Sequence, residues 1–247
     1  MKPFLLLSIR AETAAADDEY AAFCRFLGVR PAELHRVQLG SEPIGHVLLD
    51  SWSGILLGGG AYTFSDPEEK KAPAQRRAES DLIRLLDQVV AADFPFLGAC
   101  YGIGTLGSHQ GGAVDRTHPE PVGPLSISLT DDALADPLFA DVPRDFAAYG
   151  GHKEALSTLP EHAVHLATSA ACPVQAFRVG EHVYATQFHP ELDLVGVQTR
   201  IDVYSTYGYF DPGEAASLKA LSASVDVIHP MTLLRNFARR YRSDSKT

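Results

Sequence analysis

The chain has 247 residues, 45% hydrophobic and 21% charged, a balance that fits a water-soluble globular protein with one large domain over residues 1–247. Its formal charge is −10, from 21 Lys and Arg against 31 Asp and Glu, which argues against nucleic acid and anionic membranes as partners, since both select for basic patches. Only three cysteines occur (Cys24, Cys100 and Cys172), too few and too odd a number for a disulfide framework; the count fits a reducing cytoplasm.

The first apolar run, residues 4–9, is followed at once by Arg10 and Glu12. It is too short for a signal-peptide core and reads as a buried strand. Residues 17–27 then place Tyr20, Phe23, Cys24 and Leu27 at helical spacing, with Gly28 as the stop. Residues 34–39 and 54–57 read as the next two strands, the second running into Gly58-Gly59-Gly60. Residues 74–92 predict a long helix with Leu82, Leu85, Leu86 and Val89 on one face. Residues 94–97 are a fourth strand, and a glycine turn at Cys100 leads into another helix.

Strands alternating with helices indicate an α/β domain with a largely parallel sheet. After Gly112 the pattern changes to short strand-like runs ("PLSISLT", "FAAYGG", "AVHLATS", "VQAFRVG", "VYATQFH"), which predict an antiparallel or mixed extension. Residues 192–207 and 231–242 read as closing helices, the second with a solvated basic face in "RNFARRYR", and the polar end 243–247 as a frayed terminus. No run of about 18 apolar residues exists that would span a membrane. The sequence holds no CxxC pair, HExxH or P-loop motif and no internal repeat, and no metal or cofactor is expected.

The pattern G-A-C-Y-G, residues 98–102, places a cysteine between a strand and a helix. The serine version of this turn is a nucleophile elbow, in which flanking glycines give room for a strained backbone. The N-terminal amides of the following helix favour thiolate over thiol. Alone, the motif is a weak signal that reads more readily as a buried thiol in a tight bend than as a nucleophile.

Two other segments bear on that choice. In "ATQFHPELD", residues 185–193, a strand is expected to end at His189, and Glu191 lies two residues on, on the same side of an extended chain. Glu191 would orient one ring nitrogen of His189 and leave the other for the thiol, a cysteine–base–orienter arrangement. In "SWSGILLGGGAYTFSD", residues 51–66, three glycines end a strand. An amide there would pair with the N–H of Tyr101 as an oxyanion hole. The other histidines have no such context; His109 and His118 are expected to be structural.

Taken in order, "GILLGGG", "PFLGACYGIG", "GGHKEALSTLP", "QFHPE" and "LLRNFARR" resemble the class I glutamine amidotransferases, in particular the glutaminase domain of GMP synthase and its stand-alone relatives. The resemblance implies a flavodoxin-like, doubly wound sheet with an added antiparallel or mixed β-layer. It implies Cys100 as nucleophile, His189 as acid and base, Glu191 as its orienter, and the N–H groups of Gly59 and Tyr101 as the oxyanion site. Gly58, Gly104, Gly151 and His152 fall at substrate-side positions. Glutamine is the implied substrate, and a separate synthetase the implied partner, since no ATP-binding segment is present. Two positions depart from the family pattern. Gly104 stands where a glutamine side chain often holds the substrate's α-carbon groups, and Lys153 stands where glycine commonly follows the histidine. A γ-glutamyl peptidase or hydrolase with the same triad, and a non-catalytic binding domain of the same fold, therefore stay open beside the glutaminase.

Overall fold

The short apolar runs of the N-terminal half pair side by side in a computed structural model that describes residues 2–243. β1 (Phe4–Ser8) lies between β2 (Leu34–Gln38) and β3 (Ile55–Leu57), and β3 pairs with β4 (Phe96–Ala99), all parallel. Every residue of β1 is buried, as a parallel strand covered on both faces requires. α1 (Thr13–Leu27) stops at Gly28, whose φ of 66° only glycine adopts without strain. It covers one face of the sheet, packing Phe23 and Leu27 with Leu6 and Leu56. α2 (Pro73–Ala91) starts on a proline, whose missing N–H costs nothing there, and covers the other face with Leu82, Leu85, Leu86 and Val89.

After β4 the chain turns at Cys100 into α3 (Tyr101–His109) and then builds the antiparallel half. Its elements are β5 (Ala113–Asp115), β6 (Glu120–Leu129), α4 (Asp131–Ala135), β7 (Asp145–His152), β8 (Ala155–Thr158), β9 (Val164–Thr168), β10 (Ala176–Val179) and β11 (Val183–Thr186). β11 returns to pair parallel with β4, and β10, β9, β6 and β7 follow antiparallel. The antiparallel strands thus extend the edge of the parallel sheet, giving one nine-stranded sheet, with β5 and β8 as a separate pair. α5 (Leu194–Val203), α6 (Ala215–Ala223) and α7 (Met231–Tyr241) close the chain, and α7 packs Leu233, Leu234 and Phe237 beside α1. Arg235, Arg239 and Arg240 are exposed, so the basic cluster does lie on a solvated helix face.

Three expectations are corrected. β11 ends at Thr186 rather than His189, because the N–H of His189 turns away to the carbonyl of Tyr149 on β7. The helix expected over 192–207 spans only Leu194–Val203, and the rest is an aromatic loop, residues 204–210. α4, α6, β5 and β8 were not anticipated: each is short, and propensity is weakest over short windows. Of the terminus expected to fray, residues 244–247 lie outside the described residues. No helix among the described residues is long and apolar enough to cross a membrane.

Candidate active site

Cys100 has φ 53° and ψ −89°, a region that costs a non-glycine residue about 1–3 kcal/mol. The fold imposes it from both sides. Its N–H donates to the carbonyl of Thr186 on β11 at 2.7 Å, and its own carbonyl accepts from Ile103 at 3.0 Å. The two flanking glycines touch: a Cβ on Gly98 would stand 2.9 Å from Cα of Gly102. The G-x-C-x-G spacing is therefore the steric condition for the turn.

The β4–β11 pairing brings the His189 loop to this turn. Nδ1–H of His189 donates to Oε1 of Glu191 at 2.8 Å, leaving Nε2 for the cavity that Cys100 also lines. A Cβ on Gly59 would lie 2.6 Å from Cε1 of His189 and 3.2 Å from Cβ of Cys100, so the three residues share one small space. Glu191 is fully buried and accepts from Nη2 of Arg200 at 3.0 Å. Arg200 also faces buried Glu19 at 3.8 Å. Glu19 accepts from Arg10 at 2.8 Å and from Ser8 at 3.0 Å, and Arg10 reaches the hydroxyl of Tyr204 at 3.0 Å. Two arginines and two carboxylates thus alternate behind the histidine.

Burial governs the protonation of the pair. It pushes the Cys100 thiol up to about 12, against the attraction of Arg10. It pushes the His189 imidazole down to about 4, against Glu191. For Glu191, burial works to raise the carboxyl, but the His189 imidazole that donates to it and the Arg200 guanidinium outweigh it and hold the group well below the usual carboxylate range. The resting pair is therefore a thiol beside a neutral imidazole. This corrects the expected thiolate: the helix terminus favours it, but desolvation in this closed cavity costs more.

The other sequence-derived positions divide. Gly151 lines the cavity with φ 151°, and a Cβ there would meet Cα of Val122 at 2.7 Å. The N–H of Tyr101 opens α3 beside Cys100, while its side chain turns away to donate to Glu79 at 2.7 Å. Gly58 faces Glu19 instead of the cavity, with a hypothetical Cβ only 2.5 Å from Oε2. Gly104 is buried with a Cβ's room to spare: a Cβ there would make ordinary contacts with Val114 at 3.6 Å, Phe64 at 3.7 Å and the Glu154 carboxylate at 3.9 Å. That carboxylate accepts from the N–H groups of Phe64 and Ser65. His152 is buried, its Nδ1–H donating to the carbonyl of Glu154 and its Nε2 facing Glu120 at 2.9 Å. Glu120, His152 and Cys172 are the one group of metal-ligating types found together among the described residues. Each already has a hydrogen-bond partner in the fold, Glu120 through His152, Ser169 and Gln175.

Residues 28–200 match the family described as Glutamine amidotransferase class-I. The chain belongs to that family. A GMP synthase (glutamine-hydrolyzing) of Hamiltonella defensa is 29% identical over 145 residues, which are 56% of this chain and 25% of that protein. A glutamine-hydrolyzing GMP synthase subunit from Thermoplasma acidophilum is 28% identical over 147 residues, 59% of this chain and 66% of that one. The matched region thus spans about a quarter of the first relative. A glutamine amidotransferase structure from Thermotoga maritima superposes with TM-score 0.69 at 21% identity, covering 96% of this chain and 99% of that one. One from Methylobacillus flagellatus gives 0.70 at 17% identity, covering 98% and 94%. At such identities these two likenesses speak for the shared fold. Within this amidotransferase, sequence reasoning missed Arg10, Glu19, Arg200, Tyr204 and Tyr209. The one local signal was a charge set against apolar structure: Arg10 two residues after an all-buried strand, and Glu19 on the buried face of α1.

Proposed function

We propose that the protein is a glutaminase that hydrolyses the side-chain amide of glutamine through Cys100 and passes the ammonia to a separate synthetase. The observation that carries this is a thiol on a strained turn that shares one buried cavity with a Glu191-oriented imidazole, with Gly59 packed against both. Nε2 of His189 takes the thiol proton as sulfur attacks the amide carbon. The N–H groups of Gly59 and Tyr101 hold the oxyanion, each such donor contributing about 3–4 kcal/mol in the transition state. His189 returns the proton to the departing nitrogen, the C–N bond breaks, and ammonia leaves a γ-glutamyl thioester. Water, its proton taken by His189, then cleaves the thioester to glutamate and regenerates the thiol. Glu191 keeps the imidazole in the one tautomer that serves both steps.

The chain works as one amidotransferase-type domain in a reducing compartment, the cytoplasm, where Cys24, Cys100 and Cys172 stay unpaired as they are here. A second reading, a γ-glutamyl peptidase or hydrolase with the same triad, rests on the departure at Gly104, which presents no side chain to a substrate. Purified protein is assayed for ammonia and glutamate release from glutamine and from γ-glutamyl peptides, alone and with candidate synthetases. A glutamine-like electrophile that labels Cys100, with glutamine protecting, supports the glutaminase. Preference for γ-glutamyl peptides by orders of magnitude selects the second reading. An unlabelled Cys100 under every condition sinks both and leaves a binding domain.

A further inference from the structure

The cavity at Cys100 and His189 measures about 50 Å³, room for a few waters. Its outer wall is the loop after α5, which brings Tyr204 and Tyr209 over the thiol. On the far side of Tyr209 lies a second cavity of about 360 Å³, so that this one ring lines both. The backbone crosses between them in order, Gly151 on the inner cavity and His152 and Lys153 on the outer. Arg116 lines the outer cavity as well. Movement of the Tyr209 ring would join the two cavities.

The charges of the outer cavity are uneven. Nζ of Lys153 donates to the carbonyl of Tyr207 at 2.9 Å and lies 4.3 Å from the centre of the Tyr209 ring. No carboxylate is within ion-pair distance of it among the described residues. Burial and the neighbouring positive charge of Arg116 both work against its ammonium, and outweigh the charge of Asp66 that favours it. Arg116 pairs with Asp66, which leaves further donors on its guanidinium. The one carboxylate lining this cavity, Glu120, already accepts from His152, Ser169 and Gln175. A cation held by only a carbonyl and a ring, beside a second cation, is suited to pair with an anion. Glutamine has one anionic group, its α-carboxylate.

We propose that Lys153, backed by Arg116, is a carboxylate subsite that takes the α-carboxylate of the γ-glutamyl substrate when the Tyr209 loop lifts. The inference rests on the γ-glutamyl reading above and adds its specificity-determining residue. Lys153 thereby has two roles that exclude each other: it pins the closed loop through Tyr207 and Tyr209, and it exchanges those contacts for the substrate's carboxylate.

The test compares Lys153→Met with wild type on three substrates: glutamine, 4-aminobutanamide (which is glutamine without its α-carboxylate) and γ-glutamylglycine. Losing a charge-assisted contact is expected to raise KM for glutamine about 10- to 100-fold, with kcat within about threefold. KM for 4-aminobutanamide is expected to stay level or fall, because the loop is unpinned and no carboxylate is lost. Lys153→Arg is expected to restore most of the glutamine KM, which a folding defect would not permit. Calorimetry of glutamine on Cys100→Ala, with and without Lys153→Met, reads the subsite without turnover. An unchanged KM and unchanged binding of glutamine in Lys153→Met overturn the subsite and leave the glutaminase standing. An effect confined to γ-glutamylglycine, whose extra carboxylate is on the leaving side, also overturns it. Lys153-dependent binding without any hydrolysis by wild type sinks the glutaminase and keeps the subsite. Glutamine that fails to bind at all sinks both.

Discussion

Gly59→Ala places one methyl group between the two reacting side chains. The new Cβ would stand 2.6 Å from Cε1 of His189, 3.2 Å from Cβ of Cys100 and 3.2 Å from Nη2 of Arg10. Carbon contacts settle at about 3.5–4.0 Å, so the imidazole has to retreat by roughly 1 Å. It is poorly placed to do so, with Nδ1 tied to Glu191 at 2.8 Å and its backbone N–H tied to Tyr149 at 3.0 Å. A misplacement of about 1 Å at a reacting group costs on the order of 100-fold in rate, and overpacking costs about 1–3 kcal/mol in stability. The assay is kcat for glutamine hydrolysis beside the melting temperature, with Gly104→Ala as control. A Cβ on Gly104 meets nothing closer than 3.6 Å, and in α3 alanine is favoured over glycine by about 1 kcal/mol. We expect Gly104→Ala to melt a few degrees higher, and Gly59→Ala to melt lower and lose about two orders of magnitude in kcat. Retention of more than a third of the wild-type rate by Gly59→Ala would refute the placement of this glycine against the histidine.

Cys100→Gly is expected to be more stable than Cys100→Ala by about 1 kcal/mol, or roughly 2–4 °C, because only glycine relieves the positive φ; an alanine variant that melts higher contradicts the strain. Alkylation of Cys100 in the unliganded protein is expected to speed up about tenfold per pH unit between about pH 6 and 9. Burial raises the thiol to about 12, so the reactive thiolate fraction keeps growing through that range; a rate already flat by about pH 6 would mean a preformed thiolate. Arg200→Met removes the cation between Glu191 and Glu19 and leaves both carboxylates buried. It is expected to cost about 3–5 kcal/mol in denaturant unfolding, and an unchanged midpoint would show that Arg10 alone suffices.

What the sequence made legible was local. The Cys100 turn, the His189-Pro190-Glu191 pair and the three glycines each declare themselves within a few residues, because strand, turn and orienter are short-range chemistry. The residues behind them do not. Arg10 reaches Tyr204 across 194 positions, and Arg200 reaches Glu191 from the next helix. Only the folded sheet shows that these charges converge. The edge of the sheet was likewise beyond local patterning. The runs after Gly112 announced strands, but whether they formed a second layer or continued the first depended on β11 returning to β4. The start of the loop over the thiol reads as helix in the sequence, but its tyrosines are held by distant Arg10, Lys153 and Gly60 as well as by one another.

The pairing of β4 with β11 also has a consequence for synthesis. Ala99 and Thr186 are register partners, and the backbone of Cys100 is held by a carbonyl of the later strand. On the ribosome the thiol emerges well before the strand that bends it and the imidazole that activates it. A growing chain therefore carries an ordinary cysteine until the second half has been made, and the strained turn beside the imidazole exists only once the sheet has closed.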